Sequence, residues 1–128
     1  MPGTEECAAA QSASPLRLVC VEPHPGTLRL LEQEAQRLRR RAGVEVTVVA
    51  AAAGSAAANG SSVPLFHGEA GPRGPGNELA TLVARGGVAS EAVAVVSVDE
   101  IRRAYGLDRV SLLKVDAQGW EPEVLDGA

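Results

Sequence analysis

The chain has 128 residues, a length that suits one domain, and a formal net charge of −4, which argues against a nucleic-acid partner held by bulk charge. Aromatic residues are scarce (Phe66, Tyr105 and Trp120), so the core is built from Val, Leu and Ala, a composition suited to Val-rich strands sandwiched by Ala- and Leu-rich helices. No apolar stretch approaches the roughly 20 residues that span a bilayer, and the first 14 residues hold neither a basic region followed by an apolar segment nor an Arg. Neither a membrane span nor a targeting leader is therefore expected, and the cytoplasm is the expected compartment.

The first element is a continuous apolar run, Leu16 to Glu22, too apolar for a strand with one wet face. It ends on Glu22 and turns at once through Pro23-His24-Pro25. Pro25 to Ala42 reads as a helix, because Leu28, Leu31, Ala35 and Leu38 form one apolar stripe at spacings of three and four. Pro25 suits its first turn and Gly43 its exit. The arginines at 37, 39, 40 and 41 crowd its last turns, where positive charge complements the helix dipole; a solvated helix end explains them better than an anion site. Val44 to Ala50 is a second strand. Of the two cysteines, Cys7 falls in a polar tail and Cys20 on the first strand; a disulfide between them is one reading, and a buried, free Cys20 is the preferred expectation.

A Gly-, Pro-, Ser- and Ala-rich insertion covers about 54–87. Within it Val63 to His67 reads as a short edge strand, since Pro64 excludes a central position. Gly68 to Asn77, with four glycines and two prolines, reads as a mobile loop. Ala92 to Val98 is a further strand, and Asp99 to Tyr105 a short helix with its acid at the favourable end. Val110 to Asp116 reads as a buried strand, followed by a turn at Gln118-Gly119 and a helix from Trp120 to Leu125. The order of elements predicts an α/β sandwich with a largely parallel sheet, and there is no internal repeat.

Two predicted strand tips carry acids, Glu22 and Asp116. Open α/β sheets bind ligands in the crevice beyond the carboxyl ends of their strands. A carboxylate there accepts hydrogen bonds from both hydroxyls of a ribose. Acids at strand ends also serve as turn starters and helix caps, so each has a purely local reading as well.

The flanking segments resemble the FkbM-like S-adenosylmethionine-dependent methyltransferases. Val21-Glu22-Pro23-His24-Pro25, with Leu28 and Leu31, is similar to the family's second-strand motif. Val46 to Gly54 is similar to its third strand and the small-residue turn after it. Val96-Ser97-Val98-Asp99-Glu100-Ile101 resembles its T-L-D-E-L-type element. Leu112 to Glu121, followed by Val124 to Ala128, resembles its K-I-D-x-E-G-x-E…V-L-x-G-A signature, with Gln118 where an acid is more usual.

The resemblance implies a Rossmann-like methyltransferase sandwich and S-adenosylmethionine as cofactor. Glu22 and Pro23 would hold its ribose, the turn at Ala51 and Ala52 would lie beside the adenine, and Asp116 would sit near the methionine or the acceptor as the candidate catalytic residue. The implied partner is a small-molecule methyl acceptor, a sugar or another hydroxyl-bearing metabolite. Glu121 is expected to supply first-turn charge. Lys114 fits either an ion pair at the cleft or a solvent-reaching side chain, and Trp120 either a wall of the site or a core plug. His24 is expected to be a rigid-turn surface residue rather than a base.

The family's glycine-rich loop precedes the ribose-binding acid by about 20 residues, and no such loop is found upstream of Glu22. Residues 1–15 resemble the remnant of the helix that follows that loop, with 16–128 as a partial methyltransferase domain. The expectation is an interior portion of the domain, lacking the first and the C-terminal strands and binding S-adenosylmethionine weakly or not at all alone. Two other classes fit the strand-tip acids: an NAD-dependent oxidoreductase fragment and a non-catalytic α/β module.

Overall fold

The computed structural model describes residues 14–67, Leu82 and 88–128. In chain order the elements are β1 (Leu16–Val21), α1 (Pro25–Arg39), β2 (Val44–Val49), β3 (Ala52–Gly54), β4 (Ser62–His67), β5 (Val88–Ser97), α2 (Val98–Ala104) and α3 (Glu121–Asp126). The expected loop at Gly68 to Asn77, and Cys7, lie outside the described residues. Among the described residues no helix is long and apolar enough to cross a membrane.

The strands form two small sheets rather than one. β1 and β2 pair in parallel, with Leu16 opposite Val44 and Val21 opposite Val49. The second sheet has the order β3-β5-β4, in which β3 pairs with β5 in parallel and β4 with β5 antiparallel. The architecture is thus mixed α/β, with two parallel pairings and one antiparallel.

α1 folds back on β2 because its stripe points that way. Ala35 is buried, Leu28, Leu31 and Leu38 are half-buried, and Val46 of β2 is buried beneath them. Arg39 fastens the packing: its Nε donates to the Val46 carbonyl at 2.9 Å, and its guanidinium meets Glu32. Arg37 pairs with Glu34. These exposed pairs contribute a few tenths of a kcal/mol, and the arginine cluster is a helix end, with Arg40 and Arg41 exposed.

The second core gathers Ala52, Leu65, Val93 and Val95. Pro64 lies on β4, an edge strand, as its missing N–H requires. A register shift between Leu65 and Phe66 breaks the β4–β5 ladder locally. Ser97, which the sequence reading assigns to a strand, ends β5 and caps α2. Its hydroxyl accepts from the Glu100 N–H at 3.1 Å, and its own N–H donates to the Asn59 side-chain oxygen at 3.0 Å. The Ser97-Val98-Asp99-Glu100 segment is a capping-box sequence, so this motif is explained by local structure.

Two expected elements take a different form. Val110 to Asp116 forms no strand and is not buried: it is irregular chain, with Leu112 85% exposed and Val110 and Leu113 exposed as well. Strand-forming composition is local, but a ladder needs a neighbour, and none flanks this segment among the described residues. The Ala51–Gly54 turn is the second. The chain bends at Ala50 and Ala51, where the Ala51 N–H reaches the Val49 carbonyl at 3.1 Å, and Ala52 to Gly54 then runs as β3 in the other sheet. Alanine and glycine have low strand propensity, so close packing, not composition, specifies β3.

Candidate functional site

A cleft of about 1470 Å³ lies between β1 with its following turn on one side and the 106–118 segment on the other. It exceeds the roughly 300–1,000 Å³ of a typical ligand site. Two features of the chain account for its size. At the two ends of β1, the N–H groups of Leu16 and of Glu22, the residue just after the strand, donate to the carbonyls of Gly43 and Val49. The alternation of a parallel strand then directs the backbone groups of Arg17, Val19 and Val21 to the opposite edge, which no strand covers among the described residues. The facing 106–118 segment supplies no ladder either.

Arg17 spans the two halves. Its guanidinium donates to the Tyr105 carbonyl at 2.6 Å and the Gly106 carbonyl at 3.1 Å, satisfying the C-terminal end of α2, while its Nε stands 3.4 Å from Glu45.

The structure brings Glu22, Pro23, Ala52 and Asp116 to the lining of this one cleft. Ala51 is buried and is not part of the lining. Glu22 is half-buried, and its Oε1 accepts the His24 N–H at 2.7 Å. That bond closes the turn after β1 and fixes the carboxylate at the strand tip. A carboxylate offers about four acceptor positions, so this bond leaves capacity for a ligand.

His24 plays a part the sequence reading missed. It is the N-cap of α1, with extended backbone and a ring Nδ1 that accepts the Thr27 N–H at 3.2 Å. Accepting there puts the proton of the neutral ring on Nε2. The signal was present in the sequence, since the residue before a Pro at the first helical position is the N-cap. Replacing His24 by Ala is expected to cost about 1 kcal/mol in urea denaturation, whereas His24→Asn, which keeps an acceptor, retains most of it.

Asp116 is exposed on the opposite wall, where its Oδ1 accepts from Gln118 Nε2 at 3.1 Å. Gln118, the departure from the family pattern, thus contributes a donor that an acid would lack. Lys114 is exposed at the rim and makes no ion pair among the described residues. Trp120 is half-buried and part of the lining, so it acts as a wall, and its buried Nε1 has no hydrogen-bond partner among the described residues. Cys20 is a free thiol, half-buried rather than fully buried.

Glu121 does more than supply charge. Its two carboxylate oxygens accept the N–H groups of Ala117 at 2.9 Å and Gly119 at 2.8 Å. Chemically, the cleft offers Glu22 on one wall, Asp108 and Asp116 on the other, the small residues Ala52 and Ala53, aliphatic side chains, and the basic groups of Arg17, Arg102, Arg109 and Lys114. A carboxylate at a strand tip can accept from a sugar diol, and alanine side chains leave room for a flat ring, so these residues are chemically compatible with a nucleoside.

No curated protein and no solved structure matches this chain. The sequence does match the Methyltransferase FkbM domain over residues 5–128, nearly its whole length, and the chain therefore belongs to the FkbM methyltransferase family.

Proposed function

We propose that this chain serves S-adenosylmethionine-dependent methyl transfer to a hydroxyl of a sugar or another small metabolite, with its α/β elements belonging to a Rossmann-like methyltransferase sandwich. The observation that carries the reading is the position of Glu22: half-buried at the tip of β1, held by the His24 N–H, and lining the same cleft as Asp116. In this reading Glu22 accepts from the ribose hydroxyls, with Pro23 fixing the turn below. Ala52 leaves space for the adenine. The sulfonium of the donor supplies an electrophilic methyl group. The task of the chain is then alignment and exclusion of water. Asp116 lies on the wall across from Glu22 and acts as the base that takes the acceptor's proton, or orients that hydroxyl.

The size of the cleft adds an expectation about affinity. A nucleoside held at Glu22 leaves much of a 1470 Å³ space unfilled, so few apolar contacts form and binding to this chain is weak. The test is therefore a titration that reads weak binding. Amide spectra recorded with millimolar S-adenosylhomocysteine are expected to show saturable shifts at Glu22 and His24 on one wall and at Asp116 and Gln118 on the other. Saturable shifts with NAD but none with S-adenosylhomocysteine would replace this reading with the oxidoreductase one. Shifts with neither would leave the non-catalytic α/β module.

A further inference from the structure

The turn that carries Asp116 is held in a conformation its own sequence disfavours. Gln118 has φ 52° and Gly119 φ 97°. Among the described residues Gln118 is the only one besides glycine with positive φ. For a residue with a Cβ this region is costly, and it persists only where the surroundings fix it.

The group bonded to the amides of this turn is the Glu121 carboxylate. One oxygen takes the Ala117 N–H at 2.9 Å and the other the Gly119 N–H at 2.8 Å, so a single side chain clasps the amides on either side of Gln118. Bonds from N–H groups to a carboxylate are the stronger kind. From the backbone thus set, the Gln118 side chain donates to Asp116. Asp116, Ala117 and Gln118 line the cleft; Glu121 does not. Favourable charge at a helix start explains none of this, because Glu123 in the same first turn supplies charge without the clasp.

We propose that Glu121 is a positioning residue: its carboxylate locks the 116–119 turn in the left-handed form and thereby sets how Asp116 enters the cleft. The inference rests on the reading of Asp116 as a residue that faces the methyl donor or acceptor.

Glu121→Gln tests it with little change in size. The amide keeps one acceptor and presents an NH2 group where an acceptor is needed. In this variant the amide proton resonances of Ala117 and Gly119 are expected to move upfield, and the coupling constant that reports φ of Gln118 to leave its left-handed value. Affinity for S-adenosylhomocysteine is expected to fall about tenfold. Adding Gln118→Gly, which removes the cost of positive φ, restores part of that affinity. Glu123→Gln leaves the Ala117 and Gly119 resonances in place.

Unmoved resonances and an unchanged coupling in Glu121→Gln would overturn the proposal. So would an affinity equal to wild type in Glu121→Gln when Asp116→Asn lowers it. If Asp116→Asn itself leaves the response to S-adenosylhomocysteine intact while Glu121→Gln still releases the turn, the role assigned to Asp116 fails and the clasp stands.

Discussion

Glu22→Gln is expected to abolish saturable binding of S-adenosylhomocysteine while leaving the fold intact. The substitution separates the two things Glu22 does. Its local duty is to accept the His24 N–H at 2.7 Å, and a glutamine oxygen accepts that bond equally well. Its proposed duty is to accept from two ribose hydroxyls. A hydrogen bond to a charged group is worth about 1.5–3 kcal/mol, and a neutral amide also puts an NH2 against one hydroxyl. A loss of about 3 kcal/mol raises Kd more than a hundredfold, enough to carry weak binding beyond measurement. Glu22→Ala removes both duties, so it lowers thermal stability as well as binding. The decisive comparison is between the two variants. Equal stability of Glu22→Gln and wild type, with binding lost only in the variant, supports the sugar-binding role. Binding retained in Glu22→Gln confines Glu22 to punctuation of the turn.

The parts of the fold legible in the sequence are those fixed by local pattern. The 3.6-residue stripe through Leu28, Leu31, Ala35 and Leu38 predicts α1, whose observed end at Arg39 falls short of Ala42. The apolar runs at 16–22 and 44–50 give β1 and β2, and Pro64 correctly marks an edge strand. The failures occur where pairing or packing between distant segments decides. Val110 to Asp116 has strand composition but no neighbouring strand among the described residues, and it is irregular. Ala52 to Gly54 has the opposite character: weak propensity, yet a strand, because it fits against Val95 to Ser97. The site divides the same way. Glu22 and Asp116 were legible as acids at predicted strand tips, and they do share a cleft, although Asp116 ends no strand. Ala51, expected at the site, is buried and does not line the cleft, whereas its neighbour Ala52 does. The caps at His24 and Ser97 and the clasp of Glu121 depend on where side-chain acceptors meet backbone amides. Of these, only the Ser97–Glu100 and His24–Pro25 spacings left a trace in the sequence.

Gly127→Ala is expected to destabilise the chain by about 3 kcal/mol, near the upper end for overpacking, and to lower Tm by about 10 °C. The backbone of Gly127 is not the reason, since its φ of −90° suits alanine. Space is the reason. A Cβ at Gly127 would fall onto the carbonyl oxygen of Gly54 and come within 3.1 Å of Ser97 Cβ. The obstructing atom is backbone, so no rotamer change relieves it, and α3 must move away from β3. That movement strains the bond from the Asp99 N–H to the Gly127 carbonyl at 2.8 Å. It also disturbs Trp120, whose Nε1 packs near Gly54. The cleft therefore suffers along with the fold, because α3 follows directly on the turn that carries Asp116. Gly43→Ala provides the contrast. Gly43 has φ 76° and open space where a side chain would begin, so alanine there meets only the left-handed backbone cost of about 1–2 kcal/mol. Gly43→Asn, better tolerated in that region, costs less still. A larger loss of Tm for Gly127→Ala than for Gly43→Ala identifies the approach of Gly127, at the end of α3, to Gly54 of β3 as a packing constraint that outweighs the left-handed backbone cost at Gly43. Equal losses would mean that α3 is free to shift, and the rigid support ascribed to the Asp116 turn would go with it.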